Sequence, residues 1–232
     1  VVTESKSGRE AWAADVFVDT TGDGDLAAVA GCSFDMGSPE TGDVQPMSLM
    51  ALLTGLRFEQ IEPYVGGALR EPKQRFAALM EDAGVSPSYG HPTLFRVRDD
   101  LFALMANHQY GMRCDDAEAL TSATIRGRRE IHAQVEALRQ LGEPWRNVRV
   151  VSTGAQIGVR EGRRIHGLYE ITGKDLLEGA RFKDAVCRVT MGIDVHSTDP
   201  DKTKIVESKP HRSQPYDIPL RSLIARDVDG LM

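Results

Sequence analysis

The chain has 232 residues, 41% of them hydrophobic and 27% charged, and a formal net charge of -6. That is ordinary globular composition with room for one large core or two small ones. It argues against a nucleic-acid partner, which calls for a basic surplus on one face, and no apolar run approaches the roughly 18 residues of a membrane span.

Cys32, Cys114 and Cys187 are isolated and odd in number. They argue against a disulfide framework and against a CxxC-type zinc or iron–sulfur site, and a reducing, cytoplasmic setting is expected. The chain opens on Val1-Val2-Thr3-Glu4 without an initiator Met and stops at Asp229-Gly230-Leu231-Met232. It reads as an internal piece of a longer protein; a processed mature chain is the alternative.

In chain order, Val1 to Ser5 and Glu10 to Ala14 read as a hairpin closed at Lys6-Ser7-Gly8. Asp15 to Asp19 is apolar enough for a buried parallel strand. After Thr20 to Asp25, the small residues Leu26 to Ala30 predict a short helix that ends at Gly31. Ser33 to Pro46 reads as a loop, and Met47 to Leu56 as an apolar run that favours a strand. Three helices are expected next. Pro72 to Ala83 buries Phe76, Leu79 and Met80; Asp99 to Tyr110 carries Leu101, Leu104, Met105 and His108 at helical spacing; Ala117 to Leu141 carries Leu120, Ile131, Val135 and Leu138 on one face, weakened by Gly127. Strands are expected at Val148 to Ser152, Arg164 to Thr172, Asp184 to Ile193 and Thr203 to Glu207, with a short helix at Lys174 to Gly179.

The run Val16-Phe17-Val18-Asp19-Thr20-Thr21-Gly22-Asp23-Gly24-Asp25 places an apolar strand, a glycine turn and a helix start in succession. Ligands of open α/β sheets bind at such strand ends, and Gly22 and Gly24 allow close approach to the main chain. A polar turn with Asp25 as helix N-cap is the plainest alternative. A calcium loop would place Asp19, Thr21, Asp23 and Asp25 at ligand positions, but its twelfth position is Ala30 where a bidentate Glu is needed.

Asp19-Thr20-Thr21-Gly22-Asp23-Gly24-Asp25-Leu26-Ala27 resembles the D-A-T-G-D-G-D-x-A segment of a family of FAD-dependent oxidoreductases with a glutathione-reductase-like Rossmann domain. Thr20 departs from the commoner Ala. Gln156-Ile157-Gly158-Val159-Arg160-Glu161-Gly162-Arg163-Arg164-Ile165-His166-Gly167-Leu168-Tyr169 resembles that family's Q-I-G-V-R-E-x-R-R-I-x-G-x-Y stretch. Gln45-Pro46-Met47-Ser48, Thr121-Ser122-Ala123 to Arg128-Arg129, Ile193-Asp194-Val195-His196 and Pro219-Leu220-Arg221-Ser222-Leu223 match further segments. The resemblance implies FAD as cofactor in the intact protein, with Thr21, Gly22, Asp23 and Gly24 as the cofactor-binding turn. It also implies a G-x-G-x-x-G loop before Val1 and a closing flavin segment after Met232, so the fragment is expected to be inactive alone. Wider relatives carry iron–sulfur clusters, but no ligand motif for one occurs here.

Arg160 and Arg163, with Arg164 and His166 beside them, could grip a carboxylate or phosphate, or stabilise a reduced flavin. A solvated surface paired with Glu161 and Glu170 is the alternative. Asp194 and His196, two apart on an expected strand, share a face and suit proton transfer; a half-exposed turn is the alternative. Arg160, Arg163, Asp194 and His196 are therefore the expected catalytic, substrate-side residues. Arg126, Arg128, Arg129, Glu130 and His132 are expected on the solvated face of the long helix. His91, His108 and His211 are expected to be structural, and Met47, Met50, Met80 and Met105 core.

The expected fold class is α/β: the tail of a Rossmann-like FAD-binding domain plus a mixed α+β substrate-side domain. The boundaries are 1–32 for the FAD side, 33–210 for the substrate or cap domain, and 211–232 for a return segment. The expected function is hydride or electron transfer between a small-molecule substrate, anionic if the arginines bind it, and flavin. A non-catalytic anion-binding module without flavin is the alternative, and a structural interaction domain a third. No nucleic-acid or membrane partner is expected, and a homo-oligomer is left open.

Overall fold

The computed structural model describes residues 1–66, 70–202 and 213–232. The expected strand at Thr203 to Glu207, and His211, lie outside the described residues. In chain order the elements are β1 Val2–Ser5, β2 Gly8–Ala11, α1 Asp25–Val29, β3 Phe34–Asp35, β4 Ala51–Thr54, α2 Phe58–Ile61, α3 Arg70–Asp82, β5 Thr93–Arg98 and β6 Leu101–Met105. Then come α4 Ala117–Gln140, β7 Arg149–Thr153, β8 Arg164–Ile165, α5 Gly173–Glu178, β9 Ala185–Val189 and β10 Tyr216–Pro219. The fold is mixed α/β, with several sheets and few helices.

The chain divides into two compact units. Unit 1 gathers Val1–Asp35, Arg163–Ile193 and Pro210–Met232; unit 2 gathers Met36–Gly162 and Asp194–Lys209. The segment Arg163–Ile193 thus groups with the two ends of the chain, whereas the sequence boundaries assign it to the middle.

In unit 1, β1 and β2 form the expected hairpin, with Ser5 opposite Gly8. The expected strand at Asp15 to Asp19 is a brief parallel pairing instead. Phe17 N donates to Gly230 O (2.8 Å), Met232 N to Phe17 O (2.9 Å) and Asp19 N to Met232 O (2.6 Å). Val16 and Val18 remain 56% and 58% exposed, so the apolar run does not mark a buried strand in this unit. A small apolar cluster of Ala27, Cys32, Ala225 and Leu231 holds α1 to the closing segment. β3 pairs antiparallel with β8, and β9 with β10. The strand expected over Arg164 to Thr172 is only two residues long. α5 forms as expected because Thr172 and Asp175 make a reciprocal capping box and Gly179 closes the helix in the left-handed conformation.

Unit 2 is built on a four-stranded antiparallel sheet, in the order β5-β6-β4-β7. Helix α3 packs on β5 and α4 on β7. The helix expected over Asp99 to Tyr110 is a strand. Leu101, Leu104 and Met105 fit helical spacing, but Phe102 and Leu104 are fully buried while their neighbours are half-buried, which is the alternation of a sheet. The turn before it is made by Asp99 at φ 38, without a glycine to announce it.

The core joins Leu49, Leu53, Phe76, Leu94, Phe102, Leu104, Ile131 and Leu138. Each such side chain contributes about 1.5–3 kcal/mol relative to exposure. Ile131, Val135 and Leu138 form the buried face of α4, as expected; Leu120 is half-buried. Gly127 is also buried there, where α4 crosses closely over Leu49: a Cβ would stand 3.1 Å from Leu49 Cβ. Asn107 ties the strands beneath, accepting from Leu49 N (2.9 Å) and donating to Leu49 O (2.7 Å). Met47 and Met80 lie in this core as expected, but Met50 is 44% exposed. Among the described residues no helix is long and apolar enough to cross a membrane.

Candidate functional site

The four residues expected at the flavin turn lie in unit 1, together with Arg163 from the expected substrate side, while Arg160, Asp194 and His196 lie in unit 2.

In unit 1 the turn is organised by Asp19. Its Oδ1 accepts from Thr21 N (3.0 Å) and Thr21 Oγ1 (2.7 Å), and its Oδ2 from Ala27 N (2.9 Å). Burial works against its charge, but these bonds outweigh burial and hold the carboxyl below its ordinary value. Thr21 Oγ1 also accepts from Asp25 N (2.8 Å), so the helix start is tied back to the turn. Gly24, not Asp25, caps the helix, in the left-handed conformation at φ 68.

Arg163 belongs to this turn. Its Nη1 donates to Asp23 O (3.0 Å) and to Asp25 Oδ1 (2.7 Å), and its guanidinium lies 5.4 Å from the Phe34 ring centre. Asp23 has its carboxyl pushed up, by burial first and by Asp25 second, with Arg163 opposing. The N–H groups of Gly22, Asp23 and Gly24 make no hydrogen bond to the described residues. Beside them is a cleft of about 410 Å³, lined by Gly22, Gly24, Ala27, Arg163, Ile165 and the Ser222 to Ala225 strip. A Cβ on Gly22 would project into open space, whereas one on Gly24 would meet Ile165 Cδ1 at 2.8 Å.

His166 lies near this turn in unit 1. Its Nε2 faces Asp35 Oδ2 (3.0 Å), and its Nδ1 faces Ser33 Oγ (3.0 Å) and Arg226 Nη2 (2.9 Å). Ser33 Oγ also donates to Asp227, which makes a closed polar knot.

Arg160, Asp194 and His196 lie in unit 2. Arg160 Nε donates to Pro46 O (3.2 Å) and its Nη2 to Ser48 Oγ (2.9 Å), with His108 Nε2 at 3.5 Å. Asp194 and His196 are not on a strand, but they do meet, with Nε2 3.5 Å from Oδ2. His196 N donates to the Gln45 side chain (2.8 Å). Burial, then Arg160, pushes the His196 imidazole towards neutrality, against Asp194.

Sequence reasoning missed the partners of this group. His108 is 5% exposed, with Nδ1 3.1 Å from Tyr110 Oη. Burial, then Arg160 and His196, pulls its pKa down to about 3. Its ring centre lies 4.4 Å from Tyr89 and 5.1 Å from His196, and His91 is 6.1 Å from Tyr89. Period two reaches only as far as Phe102 and Leu104; the run Ala106 to Gln109 that carries His108 is buried throughout. Glu130 corrects another expectation. Half-buried rather than solvated, it accepts from Ser88 N (2.8 Å), Ser88 Oγ (2.7 Å) and Gln109 Nε2 (3.0 Å), and burial pushes its carboxyl up. Arg126, Arg128, Arg129 and His132 are exposed as expected. Among the described residues no group of three or more His, Cys, Asp or Glu could hold a metal ion.

No curated protein and no solved structure matches the chain. The family model described as FAD dependent oxidoreductase matches residues 1–232. A glycine turn beside a cleft in unit 1 and a basic, aromatic group in unit 2 are therefore features of a chain that belongs to the FAD dependent oxidoreductase family.

Proposed function

We propose that unit 1 carries the flavin side and unit 2 the substrate side of an oxidoreductase that moves a hydride or electrons between a small molecule and FAD. The single observation that carries this is the Gly22–Asp23–Gly24 turn, with three uncommitted N–H groups beside a cleft of about 410 Å³. The cleft is of a size that ligand pockets commonly have. Thr21 would shape the turn through its hydroxyl, Gly22 and Gly24 would let the cofactor close on the main chain, and Asp23 would offer a carboxyl with raised proton affinity. Arg163 would hold Asp23 and Asp25 in place rather than contact substrate. The parallel pairing at Phe17, followed by the glycine turn and α1, supports the tail of a Rossmann-like domain.

When bound, FAD supplies the electron acceptor; the protein supplies orientation, charge and protons. In unit 2, Arg160 would attract an anionic substrate, and neutral His196, oriented by Asp194, would take or return a proton at its free ring nitrogen. A cytoplasmic setting belongs to the same proposal, on the strength of three cysteines that form no disulfide with one another. A flavin-free anion-binding module draws no support from the family match.

The test is the visible spectrum of the full-length protein, followed by FAD titration read by flavin fluorescence. Flavin bands, with binding weakened about tenfold or more by Gly22→Val and unchanged by Asp194→Asn, are expected where a side chain fills a ligand's space. A colourless protein that takes up no FAD would overturn the assignment.

A further inference from the structure

Arg160 is half-buried and has no carboxylate within ion-pair distance among the described residues. Its Nε and Nη2 are spent on Pro46 O, Ser48 Oγ and His108, which leaves Nη1 without a partner among the described residues. A guanidinium donates and cannot accept. His108 Nε2 therefore accepts, its Nδ1–H points at Tyr110 Oη, and the Tyr110 hydroxyl hydrogen is left for another acceptor. Burial, offset only in part by Arg160, pushes the Tyr110 phenol up to about 12, so it stays a donor. Beside these donors stand the rings of Tyr89, His108 and His196, with centres 4.4 to 6.1 Å apart. An isolated, partly desolvated cation is costly unless an anion offsets it. Burial first, and the charge of Arg160 second, push both His108 and His196 towards their neutral forms.

We infer that this group is a binding site for a small carboxylate, clamped by Arg160 Nη1 and the Tyr110 hydroxyl beside the half-buried His196 ring. The inference rests on the substrate-side role proposed for unit 2 and names the substrate class that side takes. A carboxylate has two oxygens for two donors, and bidentate or paired recognition by arginine suits it.

The probe is benzoate, titrated calorimetrically into the full-length protein near pH 6.5, the ordinary imidazole value, in two buffers of different ionisation enthalpy. Saturable binding is expected, with net proton uptake, because a bound anion beside Arg160 raises the proton affinity of His196. Loss of one hydrogen bond to a charged group predicts roughly tenfold weaker binding for Tyr110→Phe and a larger loss for Arg160→Gln. His196→Asn is expected to bind benzoate and to lose the proton uptake, which a merely structural histidine would not show. The proposal is overturned if benzoate does not saturate, if Tyr110→Phe leaves its affinity unchanged, or if inorganic phosphate competes as well as benzoate does. Should Arg160→Gln fail to fold, Tyr110→Phe alone decides. Flavin content measured on the same preparation separates the two readings, since a flavin-free protein that still binds benzoate refutes only the redox role.

Discussion

Thr21 uses one hydroxyl twice, donating to Asp19 and accepting from Asp25, and so has no hydrogen left to donate to a ligand. The turn therefore presents main chain rather than side chains to the cleft, and its glycines carry the cost of that choice. Gly24 sits at φ 68, where an L side chain is strained, and its added Cβ would also press the flexible end of Ile165. Gly24→Ala is expected to lower stability by roughly 1–3 kcal/mol, mostly as backbone strain, read as a lower urea midpoint. The turn was legible in the sequence because glycines and acids at fixed spacing are local signals. Asp19 as its organiser was not, since its partners include Ala27, eight positions on. Nor was the union of Arg163 with the turn, which joins positions 138 and 140 residues apart.

At the scale of elements, the sequence predicts α1, α3, α4, α5 and the first hairpin from caps, glycine stops and periodicity. It fails at β5 and β6. Leu101, Leu104 and Met105 fit a helical pattern while Phe102 and Leu104 fit an alternating one, and only pairing with Thr93–Arg98 and Ala51–Thr54 decides between them. That pairing is non-local, so no window along the chain contains it. Gly127 in α4 shows the same limit. Helix propensity marks it as a weakness, whereas the close crossing over Leu49 and Asn107 gives it a packing reason. Ala at this position would set better helix propensity against a tight contact. Gly127→Val would overpack the crossing, and a loss of roughly 1–3 kcal/mol is expected, measured by chemical denaturation with near-UV circular dichroism to report the core.

Over the whole molecule, each compact unit is assembled from separated stretches of chain, and composition along the sequence does not reveal which stretches meet. The family motif beginning at Gln156 illustrates this: its first seven residues belong to unit 2 and those from Arg163 onward to unit 1. Acid stability follows from the buried imidazole of unit 2. His108 binds protons with a pKa of about 3 when folded and near 6.5 when unfolded. The unfolded chain therefore holds more protons between those values, so the contribution of this group is fully present above about pH 6.5 and is lost as pH falls towards 3. Glu130, with its proton affinity raised by burial, works in the opposite direction. A thermal melt series from pH 7 to pH 4 is expected to show a falling midpoint, and a shallower fall for His108→Gln; identical slopes would remove His108 as the cause.

The three thiols divide in a useful way. Cys187 is exposed on β9, while Cys32 and Cys114 are sealed within the apolar clusters of unit 1 and unit 2 respectively. Burial, together with the nearby charges of Asp227 and Asp19, also makes the Cys32 thiol slow to ionise. An alkylating reagent therefore meets one immediate target and two that become available only when a core opens. The chain thus carries an intrinsic covalent reporter of local unfolding in each unit, without any engineered label.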